Sequence, residues 1–157
     1  MSSFKIGSGS VAEDLRYGDP PSAAEIRATR EHVAAFFEGV AMEPPEQAVA
    51  VGGSASSLRW LVGSVLEPET LERAIRVLTG DSVATVAKRF ELDPRRVRLL
   101  PAGLLLLEKI SELVGCPLRV GRGGLRDGVI LDLLSGSNGA TAVGPAHEKY
   151  RPLAPLR

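Results

Sequence analysis

Apolar positions recur at helical spacing over most of the chain, and short apolar runs separate the helical stretches. Ser22 and Glu25 have the spacing of a capping box and predict a helix that runs to about Gly39. Prolines at helix starts and glycines at helix ends delimit the other helices, and Asp93-Pro94 has the pattern of an N-cap followed by a first-turn proline. Helices are predicted over residues 54–62, 68–80, 83–90, 104–114 and 125–134, and strands over 3–10, 48–51 and 117–121.

This order of elements, β-α-β-α-α-α-α-β-α, indicates an α/β layer structure in which a thin sheet carries many helices. Residues 1–134 are expected to form the folded unit. Residues 135–157 are rich in glycine, serine, alanine and proline and show little periodicity. They are therefore predicted to be a disordered tail.

Composition narrows the class of protein only slightly. Of the 157 residues, 44% are apolar and 4% aromatic, so one domain with an aliphatic core is expected. Lysine plus arginine and aspartate plus glutamate number 19 each, so the net charge indicates neither a nucleic acid nor a membrane as partner. The lone Cys116 excludes an intrachain disulfide, and no apolar run approaches the roughly 20 residues of a membrane span. A cytoplasmic location is the simplest prediction.

The first candidate site is the turn Gly52-Gly53-Ser54, which follows the strand predicted over 48–51 and opens a helix. Backbone N–H groups at a helix N-terminus bind anions, and glycines let a phosphate or nucleotide approach the backbone closely. Ser54 adds a hydroxyl donor. Taken alone, the motif is better explained as an ordinary tight turn that needs the dihedral angles of glycine.

The second candidate is an excess of cations between residues 88 and 126, a segment that contains nine lysines and arginines but only four acidic residues. Arginine can pair with two phosphate oxygens at once, although a solvated helix face with local ion pairs explains the same pattern. Phe90 is the one aromatic residue in this region, which argues against a platform for single-stranded nucleic acid. Arg126 and Asp127 lie in a further glycine-rich turn, where they could form a local salt bridge or support a ligand.

Catalytic and metal-binding residues are not predicted from the pattern. His32 falls on a predicted helix and His147 in the tail, so neither suggests a Ser-His-Asp set. No acidic residues have the spacing of metal ligands.

Four segments resemble, in the same order, the last part of the Ppx/GppA phosphatases, a family of exopolyphosphatases and guanosine pentaphosphate phosphatases. Phe4–Val11 with Asp19–Ser22 is similar to the family's slpiGsv…dpPs segment, and Val51–Leu58 is similar to its GGTxxxL turn. Arg96–Gly103 resembles the RaxxlpaG stretch, and Gly124–Gly128 resembles GLREG. The match covers most of the predicted folded unit.

The resemblance implies a partial actin-like (ribonuclease H-like) ATPase domain. Members of the family remove terminal phosphates from polyphosphate or guanosine pentaphosphate, usually with magnesium. By the same resemblance, Gly52, Gly53 and Ser54 lie at the nucleotide-contacting loop of the cleft. Arg96 matches an arginine that meets the phosphates or the guanine nucleotide of the substrate, and Arg126 is a supporting residue.

The sequence also departs from the family. Both family phosphate loops, of the types Asp-x-Gly-Ser-Asn-Ser and Asp-x-Gly-Gly-Gly-Ser, are absent, as is the acidic residue that orients the attacking water. Ser54 replaces a threonine and Asp127 replaces a glutamate. Phosphoryl transfer needs an oriented water and charge neutralisation, so the resemblance implies a C-terminal fragment that is inactive, or nearly so, alone. Its magnesium ligands would lie outside this chain.

Two other interpretations remain open from the sequence. One is a non-catalytic module that binds a phosphorylated ligand, such as polyphosphate or guanosine penta- or tetraphosphate, or a partner protein. The other is a helical scaffold without a ligand. In the fragment interpretation, the strand predicted over 3–10 would have an open edge, and open edges pair with other chains. A homodimer or an aggregation-prone monomer is therefore predicted.

Overall fold

The structure is a computed structural model that describes residues 4–121 and 123–136, apart from the side chains of 125–127, 135 and 136. The described residues form, in chain order, α1 (Ser8–Leu15), α2 (Ala23–Phe36), β1 (Ala48–Ala50), α3 (Gly53–Val62), β2 (Val65–Leu66), α4 (Pro68–Gly80), α5 (Val83–Phe90), α6 (Pro94–Val114), β3 (Leu118–Val120) and α7 (Leu125–Gly136). No helix in this part of the chain is both long enough and apolar enough to cross a membrane. The predicted disordered tail, apart from its first two residues, lies outside the described residues.

The sheet has three strands in the order β1-β3-β2. β1 and β3 are parallel, with Ala48 opposite Leu118 and Ala50 opposite Val120, whereas β2 is antiparallel to β3. Because side chains alternate across a strand, this register sends one set of residues to each face. On the inner face Ala50, Leu66, Leu118 and Val120 are buried against the helices.

Helix α6 is the central element. Its 21 residues contact each of the helices α1 to α5. Leu100, Leu104 and Leu105 on α6 are almost completely buried, in a core of aliphatic side chains from α2 to α6 and the sheet. A second, smaller cluster joins α1 and α2 to α6 through Val11, Val33, Phe37 and Ala102. The aliphatic core expected from the composition is thus confirmed.

The prediction of a strand over residues 3–10 is wrong, because helix α1 begins at Ser8. The Oγ of Ser10 accepts a hydrogen bond from the N–H of Gly7 at 3.2 Å and donates one to the Gly7 carbonyl at 3.0 Å. These local bonds favour a helix start, and Val11 then points into the core with 1% of its surface exposed. The argument for a homodimer from an open edge of that strand falls with it, and dimerisation itself stays a prediction.

Two other elements extend the predicted pattern. β2 is two residues long, which is too short for an alternating pattern to reveal. The predicted helix start at Asp93-Pro94 is confirmed, and the helix predicted over 104–114 is the second half of the same helix α6, which continues through Pro101. Proline lacks the N–H that would bond to the carbonyl of Val97, so the helix forms here without one of its backbone hydrogen bonds.

Helix α2 is tied to its neighbours by two sets of polar contacts. At its start, the carboxylate of Glu25 accepts hydrogen bonds from the N–H groups of Gly18 and Ser22, each at 2.7 Å. Further along, Arg30 forms two hydrogen bonds with Glu108 on α6, at 2.9 and 3.0 Å, and one with Glu72 on α4 at 2.8 Å. The predicted capping box is therefore confirmed, and one arginine links three helices.

The capping box makes stability depend on pH. Hydrogen bonds from Ser22 and Gly18 lower the pKa of Glu25 below its ordinary value of 4.5. A lowered folded-state pKa means that the stabilisation is present above pH 4.5 and is lost as the pH falls through the folded-state pKa. We therefore expect Glu25→Gln to lower the denaturant midpoint at pH 7, with the difference from wild type shrinking below pH 4.5. A difference that stays constant from pH 7 to pH 3 would contradict this assignment.

Candidate functional site

The turn after β1 leaves the N-terminus of helix α3 uncovered by any capping side chain. Gly52 precedes the helix with a φ of 115°, a conformation that residues with a side chain rarely adopt. The first hydrogen bond of the helix runs from the N–H of Ser56 to the carbonyl of Gly52 at 2.9 Å. The N–H groups of residues 53–55 therefore have no acceptor within the helix and carry its positive end.

A second helix N-terminus lies beside the first. The hydroxyl of Ser54, in the first turn of α3, donates a hydrogen bond to the hydroxyl of Ser8, the first residue of α1, at 3.3 Å. Both serines pack on Gly103 of α6, where an ideal Cβ atom would lie only 2.7 Å from the Cβ of Ser54 and 3.4 Å from that of Ser8. The absence of a side chain at position 103 therefore lets the two helix starts meet on α6.

Arg96 from the first turns of α6 reaches the same place. Its Nη1 lies 3.7 Å from the position that a Cβ atom of Gly53 would occupy, so the guanidinium rests against the start of α3. Arg96 is exposed and forms no ion pair with any residue that the structure describes. Two positive helix ends and a guanidinium thus converge, an arrangement that favours an anionic ligand with several oxygens.

The structure brings together four of the five residues singled out in the sequence. Gly52, Gly53, Ser54 and Arg96 lie next to one another, whereas the side chain of Arg126 lies outside the described part. The binding roles of all five residues stay predictions. Elsewhere in the cation-rich region, Arg89 pairs with Asp81 at 2.8 Å and Lys109 with Glu112 at 3.1 Å. For these two cations the local ion-pair interpretation holds.

Sequence reasoning missed the contribution of Ser8 and the reason for Gly103. Ser8 was not recognised because its segment is predicted as a strand, and a strand does not place Ser8 at the start of a helix. Gly103 did carry a signal: it is a glycine within a strongly apolar helix, where a close approach of another backbone is a common reason for its presence. Sequence spacing alone does not reveal which element makes that approach.

Metal ligands are not assembled in the described part of the chain. No group of three or more histidine, cysteine, aspartate or glutamate side chains there is placed to hold an ion. The magnesium that the family resemblance implies stays a prediction.

Comparison with known proteins gives matches among solved structures. No protein-family model and no curated protein matches the chain. The structure of the Aquifex aeolicus member of the Ppx/GppA family matches with a TM-score of 0.75 and 24% identity, over 88% of this chain and 50% of that one. The type II variant of the Aquifex aeolicus Ppx/GppA phosphatase matches with a TM-score of 0.72 and 24% identity, over 83% of this chain and 48% of that one. An exopolyphosphatase from Cytophaga hutchinsonii matches with a TM-score of 0.69 and 15% identity, over 86% of this chain and 49% of that one.

These matches establish the fold. The described part is a partial α/β domain of actin-like fold, a thin sheet with packed helices, as the sequence resemblance implies. The chain spans about half the length of the solved structures that it matches, which is consistent with the expected C-terminal portion of such a protein. At identities below 25%, the likeness concerns the fold, and activity is a separate question.

The contact at Gly103 yields a test of how the site is built. We expect Gly103→Ala to lower the free energy of unfolding by about 1–3 kcal/mol, because the new methyl group would overlap the Cβ of Ser54. In the background of Ser54→Gly the same change should cost much less, since the overlapping atom is gone. Denaturant unfolding of the four proteins measures this coupling.

Gly80→Ala is the matched control, because Gly80 is also helical and no atom from outside its own helix and chain neighbours lies within 4 Å of its Cβ position. Its effect should be neutral or slightly stabilising. If Gly103→Ala lowers the free energy of unfolding equally in the wild-type and Ser54→Gly backgrounds, the proposed contact is contradicted.

Proposed function

We propose that this chain is the substrate-binding portion of a Ppx/GppA-type phosphatase, a class of enzyme that hydrolyses terminal phosphoanhydride bonds. In this proposal Gly52, Gly53, Ser54 and Arg96 hold phosphate groups of the substrate. The observation that carries the proposal is the position of the Arg96 guanidinium against Gly53 at the uncapped start of α3. The shared fold with structures named as exopolyphosphatases and Ppx/GppA phosphatases supports the same class of ligand.

The chemistry of the site suits a phosphate chain. Backbone N–H groups of α3 donate to one phosphate at a fixed position, because the helix holds them in place. The guanidinium of Arg96 is planar and can donate two parallel hydrogen bonds to an adjacent phosphate. Polyphosphate and guanosine penta- and tetraphosphate all present consecutive phosphates, so each of them satisfies this arrangement.

Binding does not by itself give hydrolysis. Transfer of a terminal phosphoryl group to water needs an oriented nucleophile and neutralisation of the charge that develops on the oxygens. The Gly52–Ser54 turn and Arg96 supply hydrogen bonds and one positive charge, but no general base is among them. We therefore expect this chain alone to bind the substrate without turning it over at an appreciable rate.

A non-catalytic module is the second candidate function, and one specific feature favours it. The outer face of the sheet exposes Val49 and Val51, with 55% and 60% of their surfaces accessible. Exposed apolar side chains on a sheet are typical of surfaces that contact another protein. Because neither function predicts phosphate release by this chain alone, calorimetry with polyphosphate distinguishes them: the substrate-binding portion must bind it, whereas a module that contacts another protein need not.

Arg96 provides the sharpest test of the proposed site. Hydrogen bonds to charged groups contribute about 1.5–3 kcal/mol, so we expect Arg96→Gln to weaken binding of long-chain polyphosphate roughly 10- to 100-fold. Isothermal titration calorimetry at low salt measures this. Arg98→Gln is the matched control, since Arg98 is exposed on the same helix about 200° further round and should leave the affinity nearly unchanged.

Three results would count against the proposal. Absence of polyphosphate binding at low salt would remove the ligand-binding role. Equal losses in Arg96→Gln and Arg98→Gln would indicate unspecific attraction by surface charge. Robust magnesium-dependent phosphate release by the chain alone would refute its expected inactivity.

A further inference from the structure

Trp60 is the most exposed large apolar side chain that the structure describes, with 74% of its surface accessible. It is also the one tryptophan in a chain of which only 4% is aromatic. A large aromatic ring gains much free energy when it is covered, so an indole left open in the folded chain is a candidate for contact with a ligand. Its position on α3 indicates which ligand.

Trp60 lies on the same face of α3 as the start of the candidate site. Gly53 and Trp60 belong to the same helix, and their spacing places them about 20° apart around the axis and about 10 Å apart along it. Ser56, one turn before Trp60, is exposed and has a small side chain. An exposed stripe of α3 therefore connects the indole with the helix start.

The indole and the guanidinium of Arg96 lie on one side of α3. The Cβ direction of Gly53, which is also that of Trp60, meets Nη1 of Arg96 at 3.7 Å. Cα–Cβ bonds in a helix tilt toward its N-terminus, and a long side chain covers the surface of the preceding turn. The indole therefore extends from its own position toward the helix start and the guanidinium.

A purine nucleotide with consecutive phosphates fits this arrangement. Its phosphates would contact Arg96 and the N–H groups at the start of α3, as for any phosphate chain. A ribose with a diphosphate spans about the distance that separates Gly53 from Trp60 along the helix, so the base reaches the indole. Every base has a π-face that stacks on an aromatic ring. Inorganic polyphosphate has no group that makes this contact.

We propose that Trp60 is the stacking platform for the base of a purine nucleotide whose phosphates occupy the candidate site. The site then prefers guanosine penta- or tetraphosphate to inorganic polyphosphate. This inference rests on the proposed function, since the phosphates must be held at Gly52–Ser54 and Arg96. Trp60 adds a selection between ligands that the phosphate contacts alone do not distinguish.

The fluorescence of Trp60 reports directly on the stacked base, because the chain has no second tryptophan. Guanosine tetraphosphate should quench this fluorescence with the midpoint that calorimetry gives for binding. Tripolyphosphate, which has phosphates without a base, should bind in the calorimeter with little quenching. Guanosine, which has the base without phosphates, should cause little quenching at the same concentration.

Trp60→Leu is the decisive variant, because leucine keeps an apolar side chain on α3 but has no aromatic face. We expect it to weaken binding of guanosine tetraphosphate roughly 5- to 100-fold, the range that base–aromatic stacking supports, and to leave the affinity for tripolyphosphate nearly unchanged. Trp60→Phe keeps a ring and should recover much of the loss. Arg96→Gln is the matched comparison and should weaken both ligands. The unfolding midpoint of Trp60→Leu should equal that of the parent, since the indole is exposed.

Two results would overturn this inference while leaving the phosphate site in place. One is an equal affinity of the parent for tripolyphosphate and guanosine tetraphosphate. The other is an equal loss for both ligands in Trp60→Leu, because a stacking role affects only the ligand that has a base. If neither ligand binds at low salt, the proposed function fails, and the role of Trp60 fails with it.

Discussion

The packing of five helices on the buried α6 is the constraint on which the rest of the structure depends. Leu100, Leu104 and Leu105 occupy the middle of the core, and truncating any of them would leave a cavity shared by several elements. The same helix carries Arg96 near its start and Gly103 near its centre. The arrangement of the candidate site is thus a consequence of core packing, because a shift of α6 would move the Arg96 guanidinium and Gly103, on which Ser54 packs, together.

Much of the fold could be predicted from the sequence because its signals are local. The capping box of Ser22 and Glu25, the proline at the start of α4 and the glycine after α6 each act within one helical turn. The segment before Val11 shows the limit of this approach. Its Gly-Ser-Gly pattern is compatible with the end of a strand. The bonds between Ser10 and Gly7 favour a helix start, but the packing of Val11 against α2 and α6, which also selects the helix, is not visible in the local pattern.

The candidate site shows a similar division. Gly52 to Ser54 could be predicted because a strand that runs into two glycines and then a helix is visible in the sequence. The approach of Arg96 to Gly53 joins positions more than 40 residues apart and entered the prediction through family resemblance, which the shared fold supports without testing the role of the residue. The contact of Ser8 with Ser54 joins residues 46 apart in the chain, and neither spacing nor composition indicates it.

Arg30 has a consequence for how the fold responds to heat. It bridges α2 to both α4 and α6 through Glu72 and Glu108, with 40% of its side-chain surface still exposed. The cost of removing charged groups from water falls as temperature rises, whereas stabilisation by apolar burial levels off. The relative weight of this three-helix link therefore increases on warming, and the clamp on α2 becomes most important at the temperatures where the aliphatic core begins to loosen.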